Sequence, residues 1–152
     1  MGLLARLFGL EPGAYSIVDD LLEDYRAEME QAVLLRQHAD TAPYPQIAAT
    51  LRRLADMEER HAALLADRLA ARGERVPAIT AVPVRGRNLW ERACDARARA
   101  SQKRRRLIEH WQRWDPEEPN VVALWRQIEA EDQREFGAYE QIVMRGDPHA
   151  ID

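Results

Sequence analysis

A chain of 152 residues is one domain, long enough to bury a sizeable core, and its 46% hydrophobic and 32% charged composition suits a soluble helical bundle. A net charge of −4 gives no general drive towards nucleic acid, and the single Cys94 rules out an internal disulfide and fits a reducing compartment. No apolar run approaches the roughly 20 residues needed to span a bilayer, and no cleavable signal is evident, so a cytoplasmic location is expected.

The chain opens on Met1-Gly2-Leu3-Leu4-Ala5-Arg6-Leu7-Phe8-Gly9-Leu10, which reads as a short amphipathic N-terminal helix within residues 1–13. It suits a cap on the bundle end, a homodimer contact, or a contact with a partner or a membrane surface. Arg6 stands where a myristoylation motif needs Ser or Thr. Glu11-Pro12-Gly13 breaks this segment from helix one, predicted near residues 16–40. Thr41-Ala42-Pro43-Tyr44-Pro45 is a stop, and helix two follows from about 45 to 72 with Gly73 as its C-terminal cap. Residues 74–87 carry Pro77, Pro83 and Gly86 without a helical period and read as a long crossover. Asn88 is a good N-cap for helix three, which extends to about Trp114. Residues 115–120 turn the chain, and helix four runs from about Val121 to Met144, closed by Gly146 and Pro148. The expected organisation is an N-terminal segment (1–13), a four-helix unit (14–146) and a tail (147–152).

Two helices carry acidic residues where apolar ones belong. Helix one repeats Leu21, Tyr25, Glu28, Ala32, Leu35 and Ala39 at alternating spacings of four and three. Helix two runs Ile47, Leu51, Leu54, then Glu58 and His61, then Leu65. Glu58 and His61 are about one turn apart and leave the same face. A buried carboxylate is costly unless something pairs with it, and a metal ion is one solution. Helix four aligns without gaps on helix two: Leu54 falls on Ile128, Glu58 on Asp132, Arg60 on Arg134 and His61 on Glu135. An alternative register of helix four places Glu131 inward in place of Asp132.

A Glu on one helix and a Glu-x-x-His on the next form the half-site of di-metal carboxylate bundles. On these residues the chain resembles the ferritin-like superfamily, in the style of rubrerythrin-type bundles, over roughly residues 16–145. The resemblance implies an all-α, ferritin-like four-helix bundle, with the long crossover between helices two and three, that binds iron or manganese through Glu28, Glu58, His61, Asp132 and Glu135. It implies an oxidoreductase or an iron-handling protein. The third helix departs from the pattern. Where a carboxylate belongs stand Arg99, Ala100, Gln102 and Lys103, followed by Arg104-Arg105-Arg106. Either a metal is retained, mono- or dinuclear, or Lys103 or Arg99 neutralises the carboxylates in a buried ion-pair network without metal. The second case makes the chain a partner-binding or structural bundle. A third reading is a carrier or sensor for one metal ion.

Other features carry blander readings. Tyr25 and Tyr139 lie on inward stripes and read as core residues with satisfied hydroxyls. Trp90, Trp111, Trp114 and Trp125 suit packing at bundle ends or at an interface. The Arg-rich face of helix three reads as solvated or salt-bridged, and no nucleic-acid partner is expected. His38, His110 and His149 lack a partner at ligand spacing, with His110 beside Glu109 the one of interest.

Overall fold

The computed structural model describes residues 15–151, and among these every regular element is a helix. They are α1 (Ile17–Thr41), α2 (Pro45–Ala70), α3 (Leu89–Trp114) and α4 (Pro119–Arg145). The expected N-terminal helix and its contacts fall on residues 1–13, outside the described residues.

Helix ends follow local chemistry. Ala42, extended because Pro43 follows it, stops α1. Gly73 takes φ +78 and ends α2 in a turn whose Glu74 N–H reaches back to the Leu69 carbonyl at 3.1 Å. The Asn88 side chain accepts from the Glu91 N–H at 2.9 Å and caps α3. Helix α4 starts two residues earlier than the sequence suggests. Pro119 lies in its first turn, where a missing N–H costs nothing, so the preceding turn is shorter than predicted.

Ion pairs fix the directions. Arg36 with Glu59 sets α1 against α2, and Arg104 with Glu129 sets α3 against α4. Arg113 with Asp20 and Lys103 with Glu28 run α1 and α3 antiparallel, and Arg53 with Glu135 and Arg72 with Glu118, the last pair just beyond the helix ends, do the same for α2 and α4. The two hairpins are joined by residues 71–88, which climb along α1. Tyr25 donates to the Pro77 carbonyl at 3.1 Å, and Gln37 donates to that of Val82, also at 3.1 Å. This path delivers the start of α3 to the end of the bundle where α2 began. Beyond α4 the chain stays tied down, because Asn88 Nδ2 donates to the carbonyls of Pro148 and Ala150 at 3.2 and 3.0 Å. No described helix is long and apolar enough to cross a membrane.

The core has two apolar parts. One holds Leu35, Ile47, Leu51, Leu54, Leu89, Ala93, Ala96 and Ile142; the other holds Leu21, Leu65, Leu69, Leu107, Val121, Trp125 and Ile128. Each fully buried leucine or isoleucine stabilises the fold by about 1.5–3 kcal/mol. Between the two parts lies a polar layer of Glu28, Glu58, His61, Lys103 and Asp132, none more than 8% exposed.

Candidate metal centre

All four helices contribute to this layer: α1 gives Glu28, α2 gives Glu58 and His61, α3 gives Lys103 and α4 gives Asp132. Each side chain takes a place in its helix's apolar stripe, so packing the stripes together forces the five into one space. Oxygens of the three carboxylates and a ring nitrogen of His61 lie within 4.8 Å of one another.

At the centre stands the Lys103 ammonium. Its Nζ donates to Glu28 Oε2 at 2.7 Å, to Glu58 Oε2, and to Asp132 Oδ1 at 3.4 Å. Burial disfavours its charge, but the three carboxylates outweigh burial and hold its pKa well above the usual lysine value. Lys103 is therefore a permanent cation. Around it the acids are raised. Burial, opposed by Lys103 and reinforced by Glu28, pushes Glu58 up to about 8. Burial, again opposed by Lys103, pushes Asp132 up to about 6 and raises Glu28 as well. All three carboxyls of the layer thus hold a proton more readily than free acids do. A second chain of bonds fixes Glu58: Tyr139 donates to Glu58 Oε1 at 3.0 Å, and Gln31 donates to Tyr139 at 3.2 Å and to the Ala96 carbonyl at 3.0 Å.

His61 is oriented from outside. Its Nε2 lies 2.8 Å from Glu131 Oε2, and that hydrogen bond, the largest influence on Glu131, lowers the acid's pKa. An ionised Glu131 can only accept, so Nε2 carries the hydrogen. In the neutral ring Nδ1 is then a bare lone pair, 3.5 Å from Glu28 Oε2 and 3.6 Å from Asp132 Oδ1, with no hydrogen bond. Glu28 Oε1 and Asp132 Oδ2 are likewise buried without a hydrogen-bond partner. Buried carboxylate and imidazole atoms left without a hydrogen bond are groups a cation can satisfy.

Of the five residues expected as ligands, Glu28, Glu58, His61 and Asp132 come together and Glu135 does not. Glu135 is a correction. It lies on the flank of α4, a third exposed, with its carboxylate 2.8 Å from Arg53 of α2. The buried seam of α4 steps from Ile128 to Asp132 to Tyr139 and passes it by. The two registers weighed for α4 are both used, since Asp132 points inward and Glu131 grips His61 from the side. Lys103 takes the neutralising position, whereas Arg99 pairs with Asp95 on its own helix at 2.9 Å. Tyr25 serves the crossover and not the site. Gln31 was missed by the sequence reading; its place one turn after Glu28 was the available signal.

Residues 20–112 match the family model described as Rubrerythrin. The match spans Glu28, Glu58, His61 and Lys103 and ends before α4. Among solved structures, BfrA from M. tuberculosis is similar over 85% of this chain and 83% of its own, with 19% identity and a TM-score of 0.75. A novel open pore ferritin from the hyperthermophilic archaeon Archaeoglobus fulgidus is similar over 87% and 86%, also at 19% identity, with a TM-score of 0.70. These likenesses establish the fold. No curated protein matches the chain.

Proposed function

The chain belongs to the rubrerythrin family, and from that premise we propose that it handles iron one ion at a time, at a position guarded by Lys103. The observation that carries this reading is the ammonium seated among Glu28, Glu58 and Asp132. A two-ion centre needs a further carboxylate from the third helix, and α3 delivers a cation there instead. The donor set does not fit two ions.

It does fit one. Three carboxylates and an imidazole suit a hard to borderline divalent cation, and one ligand atom from each of Glu28, Glu58, His61 and Asp132 lies within 4.8 Å of the others. Donor chemistry admits manganese equally, and the family favours iron. Bound iron supplies Lewis acidity and one-electron redox chemistry. The chain's own residues do the rest. Glu131 fixes the orientation of His61, Tyr139 and Gln31 hold Glu58, and Lys103 neutralises the cluster when it holds no other cation. Lys103 also lines a cleft of about 220 Å³ with Ala27, Glu30, Gln31, Arg99, Gln102 and Arg106, where Glu30 offers its ammonium another anionic partner. Withdrawal of Lys103 into that cleft is the step that frees the donors.

A specific observation also favours a metal-free bundle: Lys103 already contacts all three carboxylates of the layer. Anaerobic titration with ferrous iron separates the two readings. The iron reading expects one ion per chain in the wild type, lost in His61→Ala and bound at least tenfold more tightly in Lys103→Gln. Two ions per wild-type chain would refute single-site handling. Uptake by Lys103→Gln alone would assign the wild type to the metal-free reading. A reducing, cytoplasmic setting accords with the free Cys94.

A further inference from the structure

Where α1 begins and α3 ends, a second polar cluster surrounds His110, which is 3% exposed. Its Nδ1 donates to Asp24 Oδ2 at 2.7 Å, and Asp24 is fully buried. In the neutral ring this bond fixes the tautomer and turns the Nε2 lone pair the other way. Among the described residues Nε2 has no hydrogen-bond partner, and it faces Asp20 Oδ1 and Glu23 Oε2, each at 3.6 Å. The other oxygen of each carboxylate is occupied. Arg113 and Trp114 donate to Asp20 Oδ2 at 2.6 and 2.8 Å, and Arg106 donates to Glu23 Oε1 at 2.9 Å. Each carboxylate is thus clamped on one side and presents its free oxygen to the imidazole.

We propose that His110 Nε2, Asp20 Oδ1 and Glu23 Oε2 form a second site, at the bundle end, for one divalent transition-metal ion of the zinc class. The three ligand atoms lie within 4.8 Å of one another, and one imidazole with two carboxylates is a zinc donor set. Asp24 supplies the carboxylate that ligating histidines characteristically have behind them, and the arginine clamps orient the other two ligands in the same way. Glu23 is half exposed and borders a cleft of about 370 Å³ lined also by Asp19, Leu22, Arg26, Glu30 and Arg106. Solvent therefore reaches the cluster on the Glu23 side. The competing occupant is a proton. Burial opposes charge on His110, but the hydrogen bond and charge of Asp24, with Asp20 and Glu23 behind, raise its pKa above the usual value. The site shares no residue with the mid-bundle layer, so it stands or falls independently.

The test uses the full chain with His61→Ala to silence the mid-bundle donors, titrated calorimetrically with zinc chloride and by visible absorption with cobalt(II). The expected result is one ion per chain, with a four-coordinate cobalt spectrum. Asp24→Asn, a positioning change, is expected to weaken binding about 10–100-fold, and His110→Gln to weaken it further. Glu23→Gln alters a half-exposed side chain and weakens binding without risk to folding. In the wild-type chain, which needs no substitution to fold, zinc should shift the His110 Nε2 nitrogen-15 resonance. Undiminished affinity in both His110→Gln and Glu23→Gln, or an unmoved resonance, would overturn the site and leave His110 as a protonated ion-pair partner only.

Discussion

The two helical hairpins have the same architecture and opposite chemistry. The α1–α2 hairpin turns Glu28, Glu58 and His61 inward, the donors of one half-site. The α3–α4 hairpin turns Lys103 and Asp132 inward and leaves Glu135 on its flank with Arg53. Glu28 and Lys103 meet at 2.7 Å, each at the middle of its helix. The apolar stripes on either side fix the fold and accept a buried polar layer provided its charges are compensated. The sign of one residue on α3 then decides what compensates them.

Removing that residue should have the largest effect. Lys103→Ala leaves three buried carboxylates without their cation and is expected to cost about 3–5 kcal/mol. At this chain length that corresponds to a fall in Tm of roughly 10 °C, measurable by circular dichroism. Ferrous iron or another divalent ion should restore much of the loss, because a ligand that binds only the folded state stabilises it. A tolerant Lys103→Ala protein would break the comparison between the hairpins.

Two histidines sharpen it through pH. His38 of α1 is buried with neither ring nitrogen partnered, and burial, with Arg92 and Arg99 of α3 nearby, lowers its pKa to about 4. The unfolded chain then binds the extra proton, so stability falls as pH drops from about 6.5 to 4, by up to roughly 3 kcal/mol. His110 of α3 faces carboxylates of α1 and is raised instead. Its contribution is fully present below the unfolded value and is lost as pH rises through the folded one. Denaturant melts across pH should show His38→Leu flattening the acid limb and His110→Gln the alkaline limb.

Smaller effects follow outside the layer. Glu131→Ala removes the acceptor of His61 Nε2–H. With Glu131 28% exposed and water able to replace it, stability should fall by about 1 kcal/mol. Ferrous affinity should fall about 10–100-fold. Glu135→Ala breaks only a half-exposed pair with Arg53 and should cost less than about 1 kcal/mol with no change in iron binding. A large effect of Glu135→Ala on iron would restore it to the donor set.

Much of this was legible in the sequence because helical period is a strong signal. The positions of Glu28, Glu58 and His61 within regular apolar stripes located the layer, and Pro and Gly punctuation located the helix breaks to within a few residues. Choosing between Lys103 and Arg99 was not possible from pattern, since both lie near the middle of α3; an unbranched ammonium reaches three carboxylates where Arg99 has Asp95 one turn away. Glu135 failed because the repeat with α2 preserves spacing and not helix rotation. His110 stood out beside Glu109, but its carboxylate partners Asp20, Glu23 and Asp24 were not legible, because they come from a different helix brought close by the antiparallel pairing of α1 and α3.

The central claim is that Lys103 holds the position an iron would take. Crystals grown anaerobically, without metal and with ferrous iron, test it by anomalous diffraction at the iron edge. The account expects the metal-free protein to show the Lys103 ammonium between Glu28 and Glu58. The iron form should show one ion among Glu28, Glu58, His61 and Asp132, with Lys103 withdrawn beside Glu30. Two irons in the layer, with Lys103 pointing away in both forms, would contradict it.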